Sequence, residues 1–202
     1  FPYTTLFRSV IAGGRVQFII PVYQRNYSWL TENCNQLFND LVDLVHSDRP
    51  THFFGSIVTS PADGYGINRL VIDGQQRLTT ISLLLLAGIH AVENGELEGD
   101  RGSIEEAKEE FLMAKFSGTE RKIKLVPIEN DLEAYDRIFQ HDVDNYVKDS
   151  KMTRNYQYFY ERLTKEPHQL SFDSLLSAIE RLQIISIELD GNDQPQLIFE
   201  SL

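Results

Sequence analysis

The stretch Val71-Ile-Asp-Gly-Gln-Gln-Arg-Leu-Thr-Thr80 carries the clearest structural signal in the chain. Its apolar start predicts a strand, Asp73-Gly74 predicts a turn, and the residues from Gln75 onward predict a helix that buries Leu78. A strand that leads directly into a helix presents the backbone N–H groups of the first helical turn, which form a natural anion site. Gly74 also permits close approach of a ligand to the backbone.

Four polar side chains at this turn have the chemistry of a reactive site. Asp73 could hold a metal ion or a water, and Gln75 and Gln76 could orient a water or a substrate hydroxyl. Arg77 could neutralise charge on a transferring phosphoryl group. The residues are equally compatible with a plain strand-to-helix turn in which Asp73 caps the helix. Both interpretations stay open at this point.

The second informative segment is Ile20-Pro-Val-Tyr-Gln-Arg-Asn-Tyr-Ser-Trp29. The apolar run Phe18–Ile20 predicts a short strand that Pro21 ends. Arg25 offers a planar donor fork suited to phosphate, and Gln24 offers both a donor and an acceptor. Composition alone favours a simpler alternative, in which Arg25 pairs with a carboxylate and the aromatic side chains pack rather than stack on a base. The aromatic residues concerned are Tyr23, Tyr27 and Trp29.

The remaining pattern predicts an α/β (α+β) fold. Thr31 is the expected N-cap of a helix that runs to about Ser47, and Phe53–Ser60 with Arg69–Ile72 should form a hairpin. We divide the chain into a core at 10–92 and a mostly helical extension at 93–202, truncated at its C-terminus. The extension is predicted to contain helices at Ile104–Phe116, Asp131–Phe139, Tyr156–Leu163 and Phe172–Leu182, with strands at Ile123–Val126 and Ile184–Leu189.

Composition limits the classes of function. The net charge is -11 over 202 residues, so general binding to the phosphate backbone of nucleic acid is disfavoured. A local contact would have to come from the first thirty residues, which carry three arginines and no acidic residue. Cys34 is the only cysteine, which excludes an internal disulfide and fits a cytoplasmic protein. The apolar stretch Ile81–Val92 is too short to cross a membrane.

Several familiar site patterns are absent from the sequence. There is no phosphate-binding loop of the G-x-x-x-x-G-K-[ST] type, and the five histidines lack metal-ligand spacing, so no nuclease site is expected here. The two ends also look unnatural. Phe1–Ser9 read as a translated sequencing adapter, which we expect to contribute nothing to the core. Pro195–Leu202 read as the opening of a helix that is cut short.

Three motifs taken together resemble the GmrSD-type N-terminal domain family of bacterial anti-phage restriction proteins. They are Ile20-Pro-x-Tyr-Gln-Arg-x-Tyr-x-Trp29, Phe54-Gly-Ser-Ile-Val58 and Ile72-Asp-Gly-Gln-Gln-Arg-Leu-Thr-Thr80, in the family's order. Asn155-Tyr-x-Tyr-Phe159 and Leu197–Leu202 resemble later helical segments of the same family. The resemblance runs from about Val10 to the end of the chain.

The resemblance implies a ParB/sulfiredoxin-like core that binds and hydrolyses a nucleoside triphosphate (GTP, ATP or another) with Mg²⁺. It also implies that Tyr23, Gln24 and Arg25 line the same cleft and, in some members, sense modified phage DNA. Full-length relatives often add an HNH-type nuclease domain. The nucleotide-binding residues expected on this basis are Tyr23, Gln24, Arg25, Trp29, Gly74, Arg77, Thr79 and Thr80.

The function predicted from the sequence is therefore an NTPase domain that regulates a modification-dependent restriction protein. Asp73, Gln75, Gln76 and Arg77 are the expected catalytic residues, and Asp73 is also the expected metal ligand. Two alternatives stay open: a sensor of modified DNA without turnover, and a ParB-like partition or clamp domain. The expected partners are a nucleotide, DNA, and a nuclease domain in the same chain or in another subunit.

Overall fold

The computed structural model describes residues 3–62, 68–115, 121–166 and 169–189, and these form a mixed α/β fold, as predicted. The strands are β1 (Tyr3–Leu6), β2 (Gln17–Ile19), β3 (His52–Pro61), β4 (Asn68–Asp73), β5 (Met113–Lys115), β6 (Arg121–Ile123), β7 (Leu125–Val126) and β8 (Leu182–Glu188). The α-helices are α1 (Phe7–Ile11), α2 (Thr31–His46), α3 (Gln75–Glu93), α4 (Arg101–Ala107), α5 (Glu129–Phe139), α6 (Lys151–Lys165) and α7 (Phe172–Glu180). A ParB/sulfiredoxin-like relationship stays a prediction.

One mixed sheet organises the described part of the chain, with strand order β1-β8-β3-β4-β2-β7. β3 and β4 form the predicted antiparallel hairpin, while β2 is parallel to both β4 and β7. β8 runs parallel to β3 and antiparallel to β1. Because β7 and β8 come from beyond residue 92, the sheet includes strands from both the predicted core and the predicted helical extension.

Helix α3 lies at the centre of the molecule, and almost every residue on it is buried. All positions from Leu78 to Ala91 are buried, which is typical of a helix surrounded by other elements rather than lying on a surface. Helices α5, α6 and α7 pack against it. Each fully buried Leu or Ile contributes about 2 kcal/mol of transfer free energy, so this helix anchors the core.

The N-terminal segment has a defined place in the fold, contrary to expectation. β1 pairs with β8, and Phe7 is only 1% exposed. The Phe7 ring stacks on Phe111 at a centroid distance of 6.3 Å and meets Phe54 edge-on at 6.2 Å. The prediction that residues 1–9 contribute nothing to the core is therefore wrong for residues 3–9, since a buried aromatic ring stabilises whatever it packs against.

Two predicted boundaries differ from the structure for identifiable physical reasons. Helix α2 begins at Thr31 itself, and Leu30 occupies the N-cap position, where its N–H donates to Asn33 Oδ1 at 2.9 Å. The helix predicted at Ile104–Phe116 ends earlier: a π-helical turn over Lys108–Leu112 follows α4, and β5 then begins.

A buried lysine side chain is hydrogen-bonded to the end of that helical segment. Lys124 is 1% exposed, and its Nζ donates to the carbonyl oxygens of Ile11, Gly13 and Glu110 at 2.9, 2.9 and 2.5 Å. The Glu110 carbonyl is thus bonded to a side chain within the turn that precedes β5. Burial lowers the pKa of Lys124 to about 8.

Predicted features at 63–66, Phe116 and 195–202 lie outside the described residues.

Candidate anion-binding cleft

The two informative sequence segments meet at the carboxyl ends of two neighbouring parallel strands. The 21–30 loop follows β2, and α3 follows β4 after a single residue, Gly74. Ligands of open α/β sheets commonly bind at the carboxyl ends of parallel strands. A cavity of about 460 Å³ lies between the segments. It is lined by Gln24, Arg25, Trp29, Ile72, Asp73, Gly74, Gln75, Gln76 and Arg77.

Helix α3 begins at the cleft because Gly74 makes a turn that other residues resist. Gly74 has φ of 95°, and a Cβ there would lie 2.9 Å from the Ser56 carbonyl oxygen and 3.0 Å from Ile57 Cγ1. No side chain caps the helix, so the proposed capping role of Asp73 is not what the structure shows. The first N–H groups of a 19-residue helix, and the positive end of its dipole, therefore lie at the cleft.

Two arginines and one aspartate supply the charge of the cleft. Arg77 Nη1 lies 3.9 Å from Asp73 Oδ2 and donates to the Ser56 carbonyl oxygen at 3.4 Å. Asp73 Oδ2 also accepts a hydrogen bond from Ser56 Oγ at 2.9 Å. Arg25 is exposed and makes no hydrogen bond or ion pair with any described residue. The predicted pairing of Arg25 with a carboxylate is therefore not seen within the described ranges, and Arg25 lines the cleft.

Three glutamines in the lining are structural links rather than free side chains. Gln24 Nε2 donates to the Ile72 carbonyl oxygen at 2.7 Å, and Gln75 Nε2 donates to Gln24 Oε1 at 2.9 Å. Gln76 Oε1 accepts from the backbone N–H groups of Ser28 and Trp29 at 2.8 and 3.2 Å. The three side chains are 6–7% exposed. Gln75 and Gln76 thus hold the loop against α3, and their expected role in orienting a reacting group stays a prediction.

Thr79 and Thr80 do not reach the cleft. They are 1% and 0% exposed, because α3 is surrounded by protein on the sides where they lie. Thr80 Oγ1 donates to the Gln76 carbonyl oxygen at 2.7 Å and lies 2.7 Å from the hydroxyl of Tyr27. The prediction that these two threonines contact a nucleotide is therefore wrong.

The aromatic residues of the loop separate into different roles. Trp29 lines the cleft, whereas Tyr23 lies outside the lining and is half-buried, with its pKa raised by burial. Tyr23 is not among the residues that line this cavity, and its expected contact with a nucleotide or with DNA stays a prediction. Tyr27 is buried, and burial raises the pKa of its hydroxyl far above the usual value. Only Trp29 among the three is placed to stack on a planar ligand in the cleft.

Two residues from the helical part hold this loop, and sequence reasoning assigned neither a role. Asn155 Nδ2 donates to the hydroxyl of Tyr27 at 2.9 Å and to the Trp29 carbonyl oxygen at 3.0 Å. Asp131 Oδ2 accepts from the Tyr27 N–H at 2.6 Å. Both contacts join residues more than a hundred positions apart, so no local pattern could indicate them. The sequence signal for Asn155 was its place in Asn155-Tyr-x-Tyr-Phe159, which resembles a helical segment of the family.

The described residues of the cleft do not supply enough oxygen ligands for Mg²⁺ by themselves, so a bound ligand would have to supply the others. Among the described residues, no group of three or more His, Cys, Asp or Glu side chains is arranged to hold a metal ion. Asp73 is the one carboxylate in the lining. Mg²⁺ is commonly held by one or two carboxylates together with phosphate oxygens and waters, so the residues fit a magnesium–phosphate complex and not a free ion.

The fold and the cleft define a mixed α/β domain with the chemistry to bind an anionic ligand. A family model described as the N-terminal domain of the GmrSD restriction endonuclease matches residues 4–202. The chain therefore belongs to this family, which confirms the resemblance in the sequence. No curated protein matches the chain. No helix in the described ranges is both long enough and apolar enough to cross a membrane.

Proposed function

We propose that the cleft binds a nucleoside triphosphate with Mg²⁺ and hydrolyses it, and that this turnover regulates restriction of DNA by the full-length protein. The observation that carries the proposal is the combination, in one cavity of about 460 Å³, of an uncapped helix N-terminus with Arg25 and Arg77. The volume lies within the range of small-molecule sites. Phosphate groups are favoured where N–H groups, a helix dipole and guanidinium groups converge.

Each lining residue that faces the cavity has a distinct part in this proposal. Arg77 contacts phosphate oxygens with its planar donor fork, and Arg25 supplies a second cation from the opposite segment. The N–H groups at the start of α3 bind the same anion. Trp29 stacks on the base, which leaves Gln24, Gln75 and Gln76 to fix the distance between the two segments.

Asp73 is the residue that would hold the metal ion. Bound Mg²⁺ supplies neutralisation of the charge on the phosphate oxygens. As the lining carboxylate, Asp73 also orients water next to the phosphates. The hydrogen bond from Ser56 Oγ and the nearby Arg77 guanidinium hold the Asp73 carboxylate in place for both tasks.

A binding domain without turnover is the second candidate. The observation that favours it is the engagement of Gln75 and Gln76 in hydrogen bonds to other protein groups, which leaves Asp73 as the acid–base group of the lining. In this case the same cleft would sense a ligand such as modified phage DNA, with exposed Arg25 as the contact. Gln24 and Tyr23 would act on DNA only indirectly, because one is buried and the other lies outside the lining.

Phosphate release separates the two candidates. Wild type, Arg77→Lys and the control Arg101→Lys would be incubated with each common nucleoside triphosphate and Mg²⁺, with and without DNA. Arg101 is exposed in α4 and does not line the cleft. The proposal expects release by wild type and the control, and at least tenfold less by Arg77→Lys. Nucleotide binding without release would support the sensor, and the absence of both would overturn nucleotide binding altogether.

A further inference from the structure

The motif Phe54-Gly-Ser-Ile-Val58 runs beneath the charged residues of the cleft, although no role follows for it from the sequence. Its central residues, Gly55 and Ser56, lie in β3, which is hydrogen-bonded to β4 just before the Asp73–Gly74 turn. The pairing of β3 with β8 is irregular between Phe53 and Gly55, as in a β-bulge. Bulges commonly redirect side chains near functional sites.

Gly55 provides a flat surface against which the Arg77 side chain lies. Its φ is +123°, a conformation that residues with a Cβ rarely adopt. A Cβ at this position would lie 2.5 Å from Arg77 Nε and 2.8 Å from Arg77 Cζ. The guanidinium group of Arg77 therefore occupies the space that any side chain at position 55 would need.

Ser56 contacts three residues at the start of α3, namely Asp73, Gly74 and Arg77. Its Oγ donates to Asp73 Oδ2 at 2.9 Å, and its carbonyl oxygen accepts from Arg77 Nη1 at 3.4 Å. A Cβ added at Gly74 would lie 2.9 Å from the same carbonyl oxygen. A single residue of β3 thus touches the carboxylate, the guanidinium and the glycine that begins the helix.

We propose that Gly55 and Ser56 are positioning residues of the cleft: Gly55 sets the place of the Arg77 guanidinium, and Ser56 sets the orientation of the Asp73 carboxylate. The inference rests on the proposed function, because it assigns these residues to the binding of a magnesium–triphosphate complex. Neither residue lines the cavity, so each acts through its neighbour. Sites of this kind lose affinity when a supporting contact shifts the group that binds the ligand.

A matched pair of glycine variants separates positioning from backbone strain. Gly95 also has positive φ, +74°, but has open space where a Cβ would lie. Gly55→Ala and Gly95→Ala should both lower the melting temperature, since alanine is strained in either conformation. Only Gly55→Ala should shift the ¹H–¹⁵N signal of Arg77 Nε in the ligand-free protein. Only Gly55→Ala should weaken binding of inorganic triphosphate, by tenfold or more.

Ser56→Ala tests the link to Asp73, with Ser103→Ala as a control from α4 whose side chain makes no hydrogen bond to a described residue. Ser56→Ala should weaken binding of the magnesium–triphosphate complex about tenfold while binding of metal-free triphosphate changes less than threefold. In an Asp73→Asn background the same substitution should have no further effect, because residues that act through one another are not additive.

The outcomes distinguish this inference from the proposed function. If wild type binds triphosphate but Gly55→Ala behaves like Gly95→Ala in both binding and the Arg77 signal, the positioning role of Gly55 is wrong and nucleotide binding stands. Full additivity of Ser56→Ala with Asp73→Asn would overturn the role of Ser56 in the same way. If wild type binds neither nucleotide nor triphosphate, the proposed function fails, and an unchanged Arg77 signal in Gly55→Ala would overturn the positioning role independently.

Discussion

The two ends of helix α3 each border a cavity, but their chemistry is opposite. At the N-terminal end, a cavity of about 460 Å³ is lined by Arg25, which has no partner in the described part of the chain, and by the uncapped first turn of the helix. At the C-terminal end, a cavity of about 330 Å³ is lined by His90, Glu93 and Lys108, among others. There Lys108 Nζ is already paired with Glu93 at 2.7 Å. The last carbonyl groups of the helix accept hydrogen bonds from backbone N–H groups of the following turn.

The comparison shows that buried polar side chains alone do not indicate a site. His90 at one end and Gln76 at the other are similarly buried, at 4% and 7% exposure, and both make hydrogen bonds to other protein groups. Each cavity has a charged side chain without a partner among the described residues, Arg25 in one and Glu105 in the other, so the two ends differ in the sign of that charge. By this sign the N-terminal end is the candidate site for an anionic ligand.

The largest effect should come from removing a buried link at the N-terminal end. Gln76→Leu leaves the N–H groups of Ser28 and Trp29 without their acceptor and is expected to lower the free energy of unfolding by about 3 kcal/mol. Chemical denaturation of the variant and of the control Gln157→Leu measures this. Gln157 is exposed, so its substitution should change stability by less than about 0.5 kcal/mol. Equal stability of wild type and Gln76→Leu would mean that the loop is not held in this way.

A smaller effect is expected from acid at the C-terminal end. Burial, together with the nearby His141 and Lys108, lowers the pKa of His90 to about 3. His90 Nδ1 lies 2.9 Å from the Tyr156 hydroxyl, and its ring stacks on His141 at 3.9 Å. The folded protein therefore keeps His90 neutral where the unfolded chain takes up a proton, below about pH 6.5.

Because the unfolded state binds more protons in this range, stability should fall as the pH falls below about 6.5. The expected loss from His90 is about 2 kcal/mol between pH 6.5 and pH 5. Unfolding free energies at several pH values for wild type, His90→Gln and His46→Gln test this. The His90 variant should have the shallower pH dependence, and the variant at exposed His46 should follow wild type. Identical slopes for all three proteins would contradict the account of His90.

The smallest effect should come from the uncompensated cation. Arg25→Ala removes a side chain with no partner among the described residues, so the unfolding free energy of the ligand-free protein should change by less than about 0.5 kcal/mol. Binding of inorganic triphosphate should nevertheless weaken severalfold. Thermal melting with and without triphosphate measures both quantities. A large loss of stability without ligand would show that Arg25 is a structural residue, like the glutamines beside it.

Local sequence signals predicted much of this architecture. The start of α3 at Gln75, the β3–β4 hairpin and the strand before Pro21 follow from turn residues and apolar periodicity, and each agrees with the structure. The resemblance of the motifs to one family then implied that the two cleft segments belong together. The helix start, the hairpin and the strand depend on residues close in sequence, which is why a single chain was sufficient to find them.

Contacts between distant residues could not be predicted. Thr79 and Thr80 were expected to bind the nucleotide because they belong to the motif that ends at Thr80, but a helix buried on all sides gives no periodic sign of which face is open. Asn155 and Asp131 reach the loop across the fold, and Lys124 finds its three carbonyl acceptors in two separate segments. The packing of Phe7 depends equally on partners far along the chain.

The most direct test of the central claim is a melting-temperature series for wild type and Arg77→Lys, each titrated with nucleoside triphosphates and Mg²⁺. Ligands that bind the folded state raise its melting temperature, by an amount that grows with the logarithm of ligand concentration over Kd. Wild type should be stabilised by at least one nucleotide. Arg77→Lys should have nearly the same melting temperature without ligand but need at least tenfold more nucleotide for the same shift, about 1.4 kcal/mol. Equal shifts in the two proteins, or no shift in wild type, would contradict the assignment of this cleft.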